Sequence, residues 1–167
     1  YEAAGPDGGA PRFERAEEKL SRTIGPWRLI GTLDRIDRLR TEGGAAATVV
    51  LDYKTEPRTR TQERVKNPLE DTQIAFYAAL LEGDGPAGGA VRGGYLSITD
   101  GRDAQDATPL VEQPRLDEAR EHLLAGLASD LDRIAAGHPM PALGEGRSCE
   151  YCAARGLCRR DFWTEAA

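Results

Sequence analysis

Gly31-Thr32-Leu33-Asp34-Arg35-Ile36-Asp37 and Val49-Val50-Leu51-Asp52-Tyr53-Lys54 are two short apolar runs, the first interrupted by charge and the second ended by it. Each alternates or clusters apolar residues as a strand does. The Glu-Gly-Gly of Thr41–Ala45 between them predicts a hairpin loop. A hairpin brings Asp34 and Asp52 close together. Lys54 stands two residues beyond Asp52, so both side chains point to one face of the strand. Tyr53 points the other way, which leaves its backbone carbonyl available as a ligand. Two carboxylates and a carbonyl are hard oxygen donors of the kind Mg²⁺ takes while keeping several waters. Such an ion lowers the pKa of a bound water and stabilises charge developing on phosphorus. An ammonium beside it positions the water or neutralises the transition state. The grouping therefore points to phosphodiester cleavage. The plainer reading is strand-end charge, with Asp34 paired to Arg35 or Arg38 and Asp52–Lys54 a surface pair. Asp37 is the rival to Asp34. On a regular strand the two fall on opposite faces, so Asp37 reads as an ion-pair partner for a nearby arginine unless a bulge intervenes.

Outward from these runs the chain punctuates clearly. Glu18–Ile24 alternates as a strand, and Gly25-Pro26 marks a turn. Trp27–Arg38 is a second strand, with Trp27, Leu29, Gly31 and Leu33 on one face and Ile30, Thr32, Asp34 and Ile36 on the other. Ala47–Lys54 is apolar on both faces up to Asp52, as a central strand is. Thr55–Asn67 is polar and without period, and reads as a loop. Pro68–Glu82 reads as a helix, with Glu70 and Asp71 in its first turn and Ile74, Ala75, Tyr77, Ala78 and Leu81 as its apolar stripe. Gly83–Gly89 stops it. Ala90–Thr99 is a fourth strand, Asp100-Gly101 a turn and Ala107–Glu112 a fifth strand. Pro114–Ala136 is a long amphipathic helix with Leu116, Ala119, Leu123, Leu127, Leu131 and Ile134 inward. Gly137–Ser148 is a Gly/Pro-rich crossing to the cysteines. The fold class is α/β, a mixed central sheet flanked by helices. The expected organisation is a flexible Gly/Ala/Pro-rich stretch over 1–12, a core over 13–148 and a cysteine tail over 149–167.

The 167 residues suit one domain with a sizeable core. No apolar run approaches the ~20 residues a membrane helix needs, and no secretory signal opens the chain. The missing initiator Met predicts a fragment of a longer protein. The net charge of −6 taken alone opposes nucleic-acid binding, but its distribution is uneven. Lys54, Arg58, Arg60, Arg64 and Lys66 form one basic stretch, and Arg147, Arg155, Arg159 and Arg160 another. Arg58, Arg60 and Arg64 are the candidates for tracking a DNA strand, and the plainer reading is a solvated face.

The three cysteines, Cys149-x-x-Cys152-x-x-x-x-x-Cys158, are odd in number and confined to the tail. That pattern argues against a disulfide framework and for a metal or cluster site in a reducing compartment, which predicts a cytoplasmic protein. Three free thiols, one disulfide with a free thiol, or zinc with His138 as fourth ligand are the other readings.

Gly-Thr-Leu-Asp-Arg-Ile-Asp and Leu-Asp-Tyr-Lys-Thr, followed by Gln73-Ile74-Ala75-Phe76-Tyr77, closely resemble the core motifs of the PD-(D/E)XK nuclease superfamily. More narrowly they look like the nuclease domain of RecB-like and AddAB-type helicase–nucleases. Gln73 and Tyr77 are i and i+4, so they share a helix face. Leu33 stands where that branch usually has Ile. The resemblance implies a restriction-endonuclease-like fold and an Mg²⁺- or Mn²⁺-dependent deoxyribonuclease of exonuclease type. Asp34, Asp52 and the Tyr53 carbonyl would bind the metal, with Lys54, Gln73 and Tyr77 completing the catalytic group. It also implies a helicase domain or subunit as partner, DNA end processing and recombinational repair as the setting, and no membrane. The cysteine tail resembles the one that, with an upstream fourth cysteine, holds a [4Fe–4S] cluster in such nucleases. No upstream cysteine is present, so the resemblance places the fourth ligand before Tyr1 and predicts that the cluster is absent from this fragment. The superfamily usually also has an upstream helix that supplies a His or Glu ligand. His122 and His138 follow the core, and only Glu14 and Glu17 precede it nearby. Two other functions stay open: a nuclease-like DNA-binding or scaffolding module that does not cleave, and a zinc-bearing interaction tail on an unrelated α/β domain.

Overall fold

A two-residue turn at Gly25-Pro26 launches the sheet: Ile24 pairs with Trp27, and Gly25 takes the left-handed backbone (φ 55°) that such a tight hairpin needs. The computed structural model describes residues 11–40, 46–84, 90–98, 110–139, 149 and 152–158. In chain order the elements are β1 (Arg12–Ile24), β2 (Trp27–Arg40), β3 (Ala46–Lys54), α1 (Arg58–Arg64), α2 (Gln73–Asp84), β4 (Ala90–Ser97), β5 (Val111–Glu112), α3 (Leu116–Ala135) and α4 (Arg155–Cys158). The chain divides into two compact units, Tyr1–Ala128 and Ser129–Ala167. The expected loop at Thr41–Ala45, the turn at Asp100-Gly101, most of the crossing to the cysteines and the extreme N-terminus lie outside the described residues.

The first unit is a five-stranded mixed sheet in the order β1-β2-β3-β4-β5. β1 to β3 are antiparallel neighbours, β3 and β4 are parallel, and β5 closes the edge antiparallel to β4. The parallel pair requires a crossover, and α1 and α2 are the helices of that connection. β3 is central and buried on both faces, as its continuous apolar run predicts. Val50 joins one core cluster with Leu20, Leu33, Ile36, Tyr95 and α2, while Val49 and Leu51 join a second with Leu39, Ala47 and Leu96.

Four sequence expectations are corrected. Strict alternation sets Ile36 opposite Leu33, yet both are fully buried in the same cluster. The β2–β3 ladder ends at the Arg35↔Leu51 pair. β2 leaves its neighbour there, and its alternation breaks at that point. The second helix begins at Gln73 rather than Pro68, because Asp71 acts before the helix: its Oδ1 accepts the Gln73 N–H at 3.3 Å. That helix is also buried almost all round rather than along a stripe: between Ile74 and Leu81 only Phe76 escapes full burial. Small residues on both contacting surfaces allow this. A Cβ at Gly31 would lie 2.7 Å from Leu80 Cδ1 and 3.1 Å from Phe76 Cε1, so β2 meets α2 without a side chain in between. Finally, the apolar face of α3 is buried only at its start. Leu116 and Ala119 are in the core, whereas Ile134 is 40% exposed.

Thr55–Asn67, expected as a loop, contains the short helix α1. Polar residues hold it, so it has no apolar period to betray it. Pro57 accepts the N–H groups of Arg60 and Thr61. Thr61 is buried and shares a 2.9 Å hydrogen bond with the Ser97 hydroxyl. Glu56 receives Arg64 through both oxygens, Nε at 2.5 Å and Nη2 at 3.1 Å, a bidentate charge-assisted pair. This pair holds the Glu56 carboxyl below the usual glutamate range. A depressed folded pKa adds stability at pH values above the unfolded one, and that stability is lost as pH falls through the folded one. Glu56→Gln therefore lowers the melting temperature at neutral pH, and the gap from wild type narrows steadily below the usual glutamate range. A gap that does not change with pH in thermal melts excludes the clamp.

Candidate active site

Where the β2–β3 ladder stops, the Asp34 side chain takes over from the backbone. Its Oδ2 accepts the Tyr53 N–H at 3.1 Å. Asp34 thus occupies the fork between the two strands, beside Asp52. Asp52 is 2% exposed and projects toward α2. Its Oδ1 accepts the Gln73 Nε2–H at 2.5 Å, and the Lys54 ammonium lies 2.7 Å from its Oδ2. That second contact is an ion contact without the direction of a hydrogen bond, so Oδ2 remains buried and under-satisfied. Lys54 also donates to Gln73 Oε1 at 2.6 Å, and Gln73 Nε2 reaches the Tyr77 hydroxyl at 3.1 Å. Gln73 therefore binds both members of the Asp-x-Lys pair through the two ends of one amide.

The electrostatics follow from this packing. Burial pushes the Asp52 carboxyl above the usual aspartate range. Lys54 pulls it back, and the carboxylates of Asp34 and Asp71 push it further up. The Tyr77 hydroxyl is raised first by burial and then by the charges of Asp52, Asp34 and Glu17, against the lowering effect of Gln73. An under-satisfied buried carboxylate oxygen next to a second carboxylate has the donor chemistry for a hard divalent cation. No group of three His, Cys, Asp or Glu side chains converges to hold a metal among the described residues. An Mg²⁺ ion needs only one or two carboxylates, so the pair Asp34 and Asp52 is compatible with it.

Asp37 is fully buried and 2.8 Å from Arg35 Nε. It pairs in register with Val49 of the second core cluster, across the sheet from Asp52. Glu14 accepts from Arg38 Nε at 2.5 Å. Glu17 has left-handed backbone (φ 51°) and falls between the Ala16↔Arg35 and Glu18↔Leu33 pairs, level with Asp34. On α1, Arg58 is exposed, the Arg60 side chain is 74% exposed and Arg64 is held by Glu56. In the second unit Cys152 is exposed and Cys149 and Cys158 are half-buried. The Cys152 N–H approaches the Cys149 carbonyl at 3.5 Å, ahead of α4.

Two residues of the site, Tyr95 and Asp71, carry no sequence signal for a place in it. Tyr95 sits opposite Asp52 in the parallel β3–β4 register, and its ring centroid is 5.1 Å from the Lys54 ammonium. Its hydroxyl donates to Asp71 Oδ1 at 2.6 Å. In the sequence Tyr95 is one aromatic in an apolar strand, and nothing local ties it to Lys54.

Comparison with known proteins yields a family model described as the PD-(D/E)XK nuclease superfamily, matched over residues 4–159. No curated protein matches. A solved structure titled "Crystal structure of SSO0001" superposes with a TM-score of 0.38 at 14% identity, covering 86% of this chain and 58% of that one. The chain thus spans somewhat over half the length of that protein.

Proposed function

The chain belongs to the PD-(D/E)XK nuclease superfamily, and from that premise we propose that it is the nuclease domain of a helicase–nuclease that hydrolyses DNA phosphodiester bonds in end processing and repair. The observation that carries this reading is the Gln73 amide joining Asp52 and Lys54 beside Asp34. Asp34, Asp52 and the Tyr53 carbonyl would hold Mg²⁺ or Mn²⁺. Bound there, the ion would supply an activated water and charge neutralisation. The chain's own residues do the rest. Lys54 brings a fixed positive charge to the position where charge builds on the phosphoryl group. Gln73 accepts from the ammonium and fixes its direction, and Tyr77 fixes Gln73. Burial against α2 excludes water from Asp52, which strengthens each of these contacts.

Arg58, Arg60 and Arg64 would lie along the DNA backbone. Arg58 and Arg60 are the more accessible, and Arg64 reaches a phosphate only by sharing its charge with Glu56. Cys149, Cys152 and Cys158 would supply three thiolates to a [4Fe–4S] cluster whose fourth ligand comes from elsewhere in the protein. Soft thiolate donors at this spacing fit iron–sulfur or zinc, and elemental analysis of the purified full-length protein distinguishes the two. No described helix is long and apolar enough to cross a membrane.

The test is incubation of the full-length protein with linear duplex and single-stranded DNA in Mg²⁺. Cleavage that a chelator abolishes is expected. If there is no cleavage, and titration with Mn²⁺ produces no heat, the domain is a non-cleaving scaffold.

A further inference from the structure

We propose that Tyr95 is a positioning residue for Lys54, its ring face supporting the ammonium and its hydroxyl anchored by Asp71 at the start of α2. The inference rests on the reading of Lys54 as the catalytic cation and extends it to a residue on a different strand.

A lysine ammonium has three donors and a flexible four-carbon stem. Two contacts, Asp52 Oδ2 at 2.7 Å and Gln73 Oε1 at 2.6 Å, direct it from one side and leave the stem a residual swing. The Tyr95 ring limits that swing from another side. Its centroid is 5.1 Å from Nζ, inside the ~6 Å reach of a cation–π contact. The parallel register makes this placement unavoidable: Asp52 pairs with Tyr95 and Lys54 with Ser97, so the ring and the ammonium share one sheet face.

The ring itself cannot move aside. Tyr95 is fully buried and the bulkiest such side chain in the core. Its hydroxyl donates to Asp71 Oδ1 at 2.6 Å, and the same oxygen accepts the Gln73 N–H at 3.3 Å. Asp71 also lies 3.9 Å from Arg64 of α1. One short segment, Asp71 to Gln73, therefore sets both neighbours of the ammonium: Gln73 directly through its amide, and Tyr95 through Asp71. A core tyrosine with only a packing role would need a partner for its hydroxyl. It would not need its ring face turned to the part-buried ammonium of Lys54.

The test exploits the electronic origin of the contact. In the full-length protein Tyr95 is replaced by Phe and then by mono-, di- and trifluorophenylalanine, with Lys54→Ala as a control. Fluorine drains the ring face of electron density with little change in volume, so packing is preserved, as unchanged melting temperatures would verify. The expected result is a stepwise fall in kcat along the fluorine series, reaching about tenfold, the size of a partly desolvated cation–π contact, with KM for DNA constant. A flat kcat across the series, while Lys54→Ala abolishes cleavage, overturns the role of Tyr95 and leaves the nuclease reading standing. Cleavage that survives Lys54→Ala overturns both.

Discussion

Asp52→Ala and Lys54→Ala each reduce DNA cleavage in Mg²⁺ by about 10²–10³-fold or more, the usual loss when one group that stabilises transition-state charge is removed. The two fail in different ways. Without Asp52 the site loses its most buried carboxylate, so divalent-cation binding measured by calorimetry weakens along with cleavage. Without Lys54 the carboxylates remain and the cation still binds, but the fixed positive charge beside Asp52 is gone. The loss at Asp52 does not come from unfolding. Burial raises the Asp52 carboxyl above its usual range even with Lys54 beside it, which means the metal-free fold bears a cost for that charge. Asp52→Asn should accordingly match or exceed the wild-type melting temperature in chelator while remaining inactive. Wild-type cleavage by either alanine variant would show that the reacting centre lies elsewhere.

Leu33→Ala and Ile36→Ala each destabilise the protein by about 2–5 kcal/mol, the range for truncating a large aliphatic side chain in a packed core. Both are fully buried and belong to the cluster that seats α2. Ile30→Ala on the same strand is the control. Ile30 is 50% exposed, and surface substitutions of this kind stay within about 0.5 kcal/mol. The informative comparison is Ile36 with Ile30. A regular strand would place them on the same face and give them similar effects. A strand whose alternation breaks beside Asp34 makes Ile36 behave like Leu33. Chemical denaturation with an unchanged m-value measures each difference, and an Ile36→Ala cost as small as that of Ile30→Ala would exclude the break. The result bears on function as well, since the same break puts Asp34 at the fork rather than on a sheet face.

Much of the architecture was legible from local pattern. Periodicity located the long strands and helices, because a face that must be buried imprints its period on the sequence. The same logic failed where polar contacts hold an element. α1 has no apolar stripe and is held by Glu56 and by the Thr61–Ser97 hydroxyl pair. It failed again at the start of α2, where acidic residues that read as a first turn turned out to precede the helix, with Asp71 receiving a backbone N–H. In the site, Asp34, Asp52 and Lys54 stood out because they break or end apolar runs, and Gln73 and Tyr77 only through the resemblance of their helix motif to a known nuclease family. Tyr95 and Asp71 did not, since each is unremarkable among its sequence neighbours.

The sequence by itself determined the order of the long strands and the two long helices, the central burial of β3, and the pairing of Asp52 with Lys54 on one face, because each depends on residues only a few positions apart. Only the tertiary structure decided three further things. They are the parity of β2 beyond Asp34, the bridging of Asp52 and Lys54 by Gln73, and the placement of Tyr95 beneath the ammonium. Each depends on the register between strands distant in the chain, or on how closely α2 settles onto a strand that carries glycine at Gly31. Register and approach distance are set by the whole packed core, and no local window of residues records them.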